Sequence, residues 1–277
     1  DTDNDGIPDG DETNLGTDPL DSDTDNDGIP DGDDPAPLAA QALCAGSAVA
    51  TDPMPLGSSL SVCLTFGGSG FVSGGIDWGD GHSSSTTSAG AFSGSHAYTA
   101  AGVYTVTTQV TDSTGGVQVT EHVVVVFDPS AGFVTGGGWF ESPAGAVVAQ
   151  PTVSGPAKFG FVSQYKKGAS VPAGSTQFQL QAAGLGFQST SYEWLVISGM
   201  RAQYKGKGTL NGTDGYGFML TATDGDLTGG DGVDRIRIKI WDASGDLVYD
   251  NQIGSANSDN PTTQVGGGSI VIHKSKR

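Results

Sequence analysis

Basic residues are missing from more than half of this chain: none of its 12 Lys and Arg precedes Lys158. The first 157 residues carry 21 acidic groups, a net −21, whereas the remainder balances 10 acids against 12 bases, a net +2. A segment so acidic repels nucleic acid and anionic lipid, which excludes DNA and RNA as partners and calls for cations or a basic partner. Long apolar runs are absent too. The longest, Val123 to Phe127, has the length of a strand, far below the roughly 18 residues of a spanning helix, so no membrane insertion is expected. Histidine is scarce, and His82, His96, His122 and His273 show no HExxH spacing. No phosphate-binding loop or dinucleotide fingerprint occurs. Serines crowd Ser83 to Ser88 in the same region as Asp80 and His96, but no GxSxG nucleophile elbow accompanies them. Glu141 and Glu193 could serve a glycosidase only at about 5 Å or about 6.5–9.5 Å separation, which sequence does not supply. Catalysis is therefore not expected. Cysteine is limited to Cys44 and Cys63. They form either one disulfide of an oxidising compartment, contributing about 3 kcal/mol, or two buried thiols. The chain opens at Asp1 inside a motif, without Met or an apolar leader, as expected of a processed product or a fragment.

What is abundant is glycine, 45 residues, and aspartate in a repeat: DTDNDGIPDGDE begins at Asp1 and DTDNDGIPDGDD at Asp23. Both copies follow the twelve-residue calcium loop, with side-chain oxygens at positions 1, 3 and 5, glycine at 6, a backbone carbonyl at 7, a ligand at 9 and an acid at 12. The first loop assigns Asp1, Asp3, Asp5, Asp9 and Glu12 as side-chain ligands and the Ile7 carbonyl. The second assigns Asp23, Asp25, Asp27, Asp31 and Asp34 with the Ile29 carbonyl. Carboxylates forced this close repel one another unless a hard dication reverses the sign of the interaction, so calcium is the expected cofactor. No amphipathic helix pair flanks the loops. The segment resembles thrombospondin type 3 repeats over residues 1–34, where metal replaces a hydrophobic core. The connecting NLGTDPLDSDTD has the form common in bacterial surface proteins, and Asp18 and Asp21 there are further candidate ligands. The resemblance implies a calcium-stiffened extracellular spacer.

PAPLAAQAL, Pro35 to Leu43, is free of charge and reads as a stiff linker. From Cys44 onward, short β-branched and aromatic runs alternate with Gly/Ser/Asp clusters, as in a β-sandwich. GIDWGDG at Gly75–Gly81 and HAYTAAGVYTVTTQVTD from His96 resemble the PKD domain over about residues 44–127. The resemblance implies an Ig-like sandwich in which these are fold residues, in an architectural, extracellular role.

Beyond Asp128 lies a second β-rich region. QFQLQ and RIRIKIW alternate as half-buried strands, with Ile236, Ile238 and Ile240 inward and Arg235, Arg237 and Lys239 outward, and LVYD completes a hairpin. TGGGWFESPAGA, KFGFVSQYKKGASVPAGSTQFQ, YGFMLTATDG and VDRIRIKIWD are similar to a C-terminal module of bacterial secreted proteins, a likeness that implies no activity. Asp224, Asp226, Asp231 and Asp234 read as a Gly-rich turn or, more weakly, as another calcium site. Tyr165, Lys166, Lys167, Tyr192, Trp194, Tyr204, Lys205 and Lys207 read as core aromatics beside surface lysines, or as a sugar-binding face.

The expectation is an all-β chain: calcium-loop repeats at 1–34, a linker at 35–43, a PKD-type sandwich at 44–128 and a larger antiparallel sandwich or jelly-roll-like domain at 129–277. Its expected role is that of an extracellular structural or adhesive protein of a bacterial surface, partnered by other subunits or surface polysaccharide. Docking of the +2 region on the −21 region of a neighbour would build a head-to-tail filament. The alternative is a non-catalytic carbohydrate-binding or accessory region of a secreted hydrolase.

Overall fold

The structure, a computed structural model, describes residues 1–44 and 53–274. It is all-β apart from one short helix and a single 3-10 turn among those residues. The chain forms two compact units. One contains the N-terminal segment with Gly57–Thr99 and Tyr104–Val124; the other contains Pro53–Leu56, Ala100–Val103 and the chain from Val125 onward.

In the first repeat, the helix α1 (Asp9–Leu15) follows the loop and ends at Gly16, whose φ of 91° is the left-handed cap that glycine adopts without strain. No helix beside either loop was expected, since no amphipathic helix pair flanks them in the sequence. The second repeat begins with nearly the same letters but makes only turns, because Pro35 and Pro37 follow at once. Proline supplies no N–H to a helix and disfavours helical backbone in the residue before it.

The strands up to residue 127 are β1 (Gln41–Leu43), β2 (Met54–Pro55), β3 (Ser59–Phe66), β4 (Phe71–Asp77), β5 (Ser83–Thr86), β6 (Gly90–Ala97), β7 (Gly102–Asp112) and β8 (Val117–Phe127). They form a three-stranded sheet, β1-β3-β6, and a five-stranded sheet, β2-β8-β7-β4-β5. Strand β3 alternates strictly, burying Leu60, Val62, Leu64 and Phe66. Two sheets must approach to about 10 Å to share such a face. Gly94 on β6 shows the fit, since a Cβ there would meet the rings and methyl groups of Trp78 and Ile76 at 2.8–2.9 Å. A disulfide joins Cys44 to Cys63 with Cα atoms 5.4 Å apart.

The stretch expected as a linker is packed. Ala36, Leu38 and Ala39 are buried, and β1 pairs antiparallel with β3 from Gln41–Phe66 to Leu43–Leu64. A charge-free segment looks like a spacer when solvated, but its apolar side chains are equally able to cover a neighbouring core, and here they do.

The second unit holds β9 (Gly132–Ser142), β10 (Gly155–Gln164), β11 (Ala173–Leu180), β12 (Leu185–Ser198), β13 (Arg201–Leu210), β14 (Thr213–Thr223), β15 (Arg235–Trp241), β16 (Leu247–Asp250), β17 (Thr263–Gln264) and β18 (Gly267–Lys274). Its strand order, which sequence left open, is a meander. Each strand from β9 to β16 pairs antiparallel with the next, β17 joins the far edge of β15, and β18 returns to pair with β9. A jelly roll would interleave distant strands, whereas here neighbours in sequence are neighbours in the sheet. One face gathers a core that includes Phe140, Phe178, Tyr204, Phe218, Ile238 and Tyr249.

The sheet curls back on itself. Ile270 and Ile272, on the outer edge of β18, donate backbone N–H groups to the Asp234 and Asp224 carboxylates of the β14–β15 connection at 2.7 and 2.8 Å. The hairpin of β15 and β16 is present, with Lys239 opposite Asp250 and Ile240 opposite Tyr249. Arg237, expected outside, is buried instead. Its guanidinium makes a two-pronged pair with Asp250 at 2.9 and 2.7 Å and donates to the Ser255 and Ala256 carbonyls. The chain after β16 folds over this side of β15, a covering that strand alternation cannot announce.

Candidate metal centre

The two acidic loops are built alike. Gly6 and Gly28 have φ of 100° and 96°, and Asn4 and Asn26 lie at 64° and 62°, left-handed positions that fold each loop sharply enough to bring alternate aspartates inward. Backbone N–H groups then fix one oxygen of each inner aspartate. Asp3 accepts from Asp5, Asp5 from Ile7, Asp25 from Asp27, and Asp27 from Ile29. Asp23 accepts from Asp27 and Gly28 with its two oxygens.

Carboxylate oxygens converge in both loops. Asp1, Asp3 and Asp5 bring ligand atoms within 4.8 Å of one another, as do Asp23, Asp25 and Asp27. A third group joins the repeats: Asp31, nine positions into the second loop, meets Asp5 and Glu12 of the first. Glu12 is 0% exposed and is carried there by α1. The second Asp3, Asp5, Asp25 and Asp34 oxygens, and both oxygens of Glu12, are buried without a hydrogen-bond partner. Buried carboxylate oxygens are not normally left so, since each costs its full desolvation.

Electrostatics registers the same crowding. Burial, and then the neighbouring charges of Asp27 and Asp34, push the Asp25 carboxyl up to about 6. Burial first, then Asp3 and Asp5, raise Glu12. Asp34 is raised by burial against the hydrogen bond from Ala36, and Asp31 by burial against those from Thr24.

Not every expected ligand points into a cluster: Asp9 belongs to none of the groups, whereas Asp31 does. Locally the two play the same part, each clamping a threonine seven residues earlier. Asp9 accepts from the Thr2 N–H and hydroxyl at 2.8 and 2.7 Å, and Asp31 from those of Thr24 at 2.9 and 2.6 Å. Asp18 and Asp21 accept from Leu20 and Asp23 N–H groups and stabilise the connecting turns. Asp224, Asp226, Asp231 and Asp234 gather in no ligand group among the described residues. Asp224 and Asp234 hold the edge of β18, Asp231 is bound at both oxygens by Arg235, and Asp226 is exposed.

The aromatic candidates Tyr192, Trp194 and Tyr204 are buried and Tyr165 is half-buried, so the sugar-stacking face read from these residues is absent. Lys166, Lys167 and Lys207 remain exposed, and Lys205 pairs with Glu193 at 2.9 Å. Glu141 and Glu193 stand on strands separated by β10 and β11.

One participant had no sequence signal. Gln118 on β8 donates its side-chain N–H to Asp27 at 2.6 Å across 91 residues of sequence, tying the second loop to the sandwich within the same unit.

The donor set consists of carboxylates, with buried oxygens free to bind, and fits a hard divalent cation such as calcium. Asp1, Asp3, Asp5, Glu12 and Asp31 would hold one ion, and Asp23, Asp25, Asp27 and Asp34 another. A bound ion would neutralise carboxylates that otherwise repel, and the chain's own turns hold them in place for it.

Comparison with known proteins agrees at the repeats. Residues 1–22 match the family model described as Bacterial TSP3 repeat. No curated protein matches the chain. A solved structure of fibronectin(III)-like modules of Clostridium thermocellum CbhA aligns over 76% of this chain and 90% of that one, at 12% identity. Its TM-score of 0.27 is too low to carry an argument. The N-terminal segment is thus similar to a calcium-binding type of repeat.

Proposed function

We propose that this chain is a calcium-binding structural or adhesive module of a bacterial cell exterior, without catalysis of its own, in which metal orders the N-terminal repeats against a PKD-type sandwich. The observation that carries the reading is the set of buried, unpartnered carboxylate oxygens converging in two like-built loops. Such a cluster is unfavourable when empty and favourable when it encloses a dication, so folding of the segment depends on calcium. The disulfide suits an oxidising compartment. Partners are other subunits or surface polysaccharide, and the contrast between −21 and +2 regions favours head-to-tail assembly. Calorimetric calcium titration, with electron microscopy of the same samples before and after chelator, tests the proposal. Two or more sites, with order or assembly that chelator reverses, support it; absence of binding overturns it.

A second reading, a carbohydrate-contacting accessory region, is favoured by one feature of the second unit. Lys158, Gln177, Gln179, Gln188 and Thr209 line a shallow concavity of about 560 Å³ together with Gly160 and Gly186. Its amides and lysine present donors and acceptors suited to sugar hydroxyls. Binding on a glycan array that Gln177→Ala and Gln179→Ala together abolish would favour this reading; silence on the array would remove it.

A further inference from the structure

The calcium loops use oxygen donors alone, whereas a different set of ligands meets at the turn after β4. Asp80 and His82 lie in the β4–β5 connection of the five-stranded sheet, and His96 lies on β6 of the three-stranded sheet. His96 Nε2 is 2.7 Å from Asp80 Oδ2, and His82 Nδ1 is 3.1 Å from Asp80 Oδ1. The imidazole rings have centroids 5.2 Å apart, and one ligand atom from each of the three residues falls within 4.8 Å of the others.

From this geometry we propose a site for a borderline divalent transition metal, zinc being the probe of choice, bound by Asp80, His82 and His96. Metal–nitrogen and metal–oxygen bonds of about 2.0–2.2 Å place neighbouring ligand atoms roughly 3 Å apart, close to the separations already present. Two imidazoles with one carboxylate prefer zinc, copper or nickel over calcium, which takes oxygen ligands. The ion replaces the protons that Asp80 shares with the two rings, and solvent completes its coordination.

The ligands are held before metal arrives. His96 stacks on Trp78 at 5.3 Å and meets the edge of Tyr98 at 4.8 Å, and the Tyr98 hydroxyl donates to the Trp78 carbonyl at 3.0 Å. Asp80 accepts the His82 backbone N–H at 3.2 Å, which fixes the carboxylate in the turn. Rigid neighbours of this kind orient ligands and strengthen metal sites. Asp80 and His96 are largely covered, while the His82 side chain is 70% exposed and gives an ion access from solvent. Because His96 comes from one sheet and the other two ligands from its partner, a bound ion would pin the sandwich together and stabilise it by mass action.

The test is a zinc titration of the whole chain in excess calcium, with the acidic loops thereby saturated, by calorimetry and by cobalt substitution followed optically. Wild type is expected to bind one equivalent, with a cobalt spectrum that reports nitrogen ligation. His82→Ala, at an exposed side chain, is expected to leave metal-free melting unchanged and to weaken zinc binding roughly 10- to 100-fold, the range for loss of even an outer-shell partner. Asp80→Asn should weaken it as well. No saturable zinc binding overturns the proposal, and so does binding that His82→Ala leaves intact, since the ion then lies elsewhere. Neither result bears on the calcium reading, which the calcium titration decides separately.

Discussion

Glu12 and Asp250 show that a single carboxylate has opposite consequences depending on what faces it. Glu12 is buried among acids, with neither oxygen partnered. Glu12→Gln keeps the shape and removes the charge. We expect it to weaken calcium binding by roughly tenfold or more, in line with the dependence of affinity on ligand charge, while raising the melting temperature in chelator by relieving repulsion. Calorimetry and melts with and without calcium check both signs. Asp250 instead answers a buried cation, Arg237, through two hydrogen bonds. Asp250→Asn leaves that guanidinium uncompensated and should cost about 3–5 kcal/mol in urea unfolding with calcium present. The inner aspartates were legible in sequence because positions 1, 3 and 5 of one tight loop can only converge. The burial of Arg237 was not legible, because it depends on residues 255 and 256 folding back over β15.

At the scale of elements, context decides what a segment becomes. The two copies of DGD start alike, yet only the first continues as α1, since Pro35 interrupts the second. The charge-free stretch after it packs as part of the first unit through Ala36, Leu38 and Ala39. Leu38→Ala should therefore cost about 2–5 kcal/mol, the range for truncating a buried leucine. A solvated linker would show no change in urea unfolding, so the measurement separates the two roles. Strand alternation was readable for β11, where QFQLQ buries Phe178 and Leu180, and for the inward isoleucines of β15. It failed for the later part of β12, where Trp194 and Val196 on one face and Leu195 and Ile197 on the other are all buried. A strand covered on both faces loses the period of two that marks a half-exposed one.

Across the molecule, tyrosine titration should report on folding, and burial raises Tyr98 and Tyr104 of the first unit as well. The second unit buries several tyrosines: burial pushes Tyr165 up to about 12, and raises Tyr192, Tyr204 and Tyr249 in the same direction. An unfolded chain ionises its tyrosines near pH 10. The folded state thus holds these protons after the unfolded state has released them. Their contribution to stability is complete below about pH 10 and is lost as pH climbs from there through about 12. Tyrosinate absorbance and circular dichroism should change together in that window as the units open. Gradual ionisation without unfolding would mean that solvent reaches the rings.

What the sequence determined by itself was local: the acidic loops, whose ligands lie within twelve residues of one another, the all-β character and the absence of basic groups before Lys158. The tertiary structure alone decided which distant groups meet. It brought Asp31 to the first loop, Gln118 to Asp27, His96 to Asp80, and the Asp224 and Asp234 carboxylates to the edge of β18. Short-range spacing fixes geometry wherever the backbone between two residues has few conformations. Contacts across dozens of residues depend on which strands pair and how the sheet curls, and no local pattern encodes that.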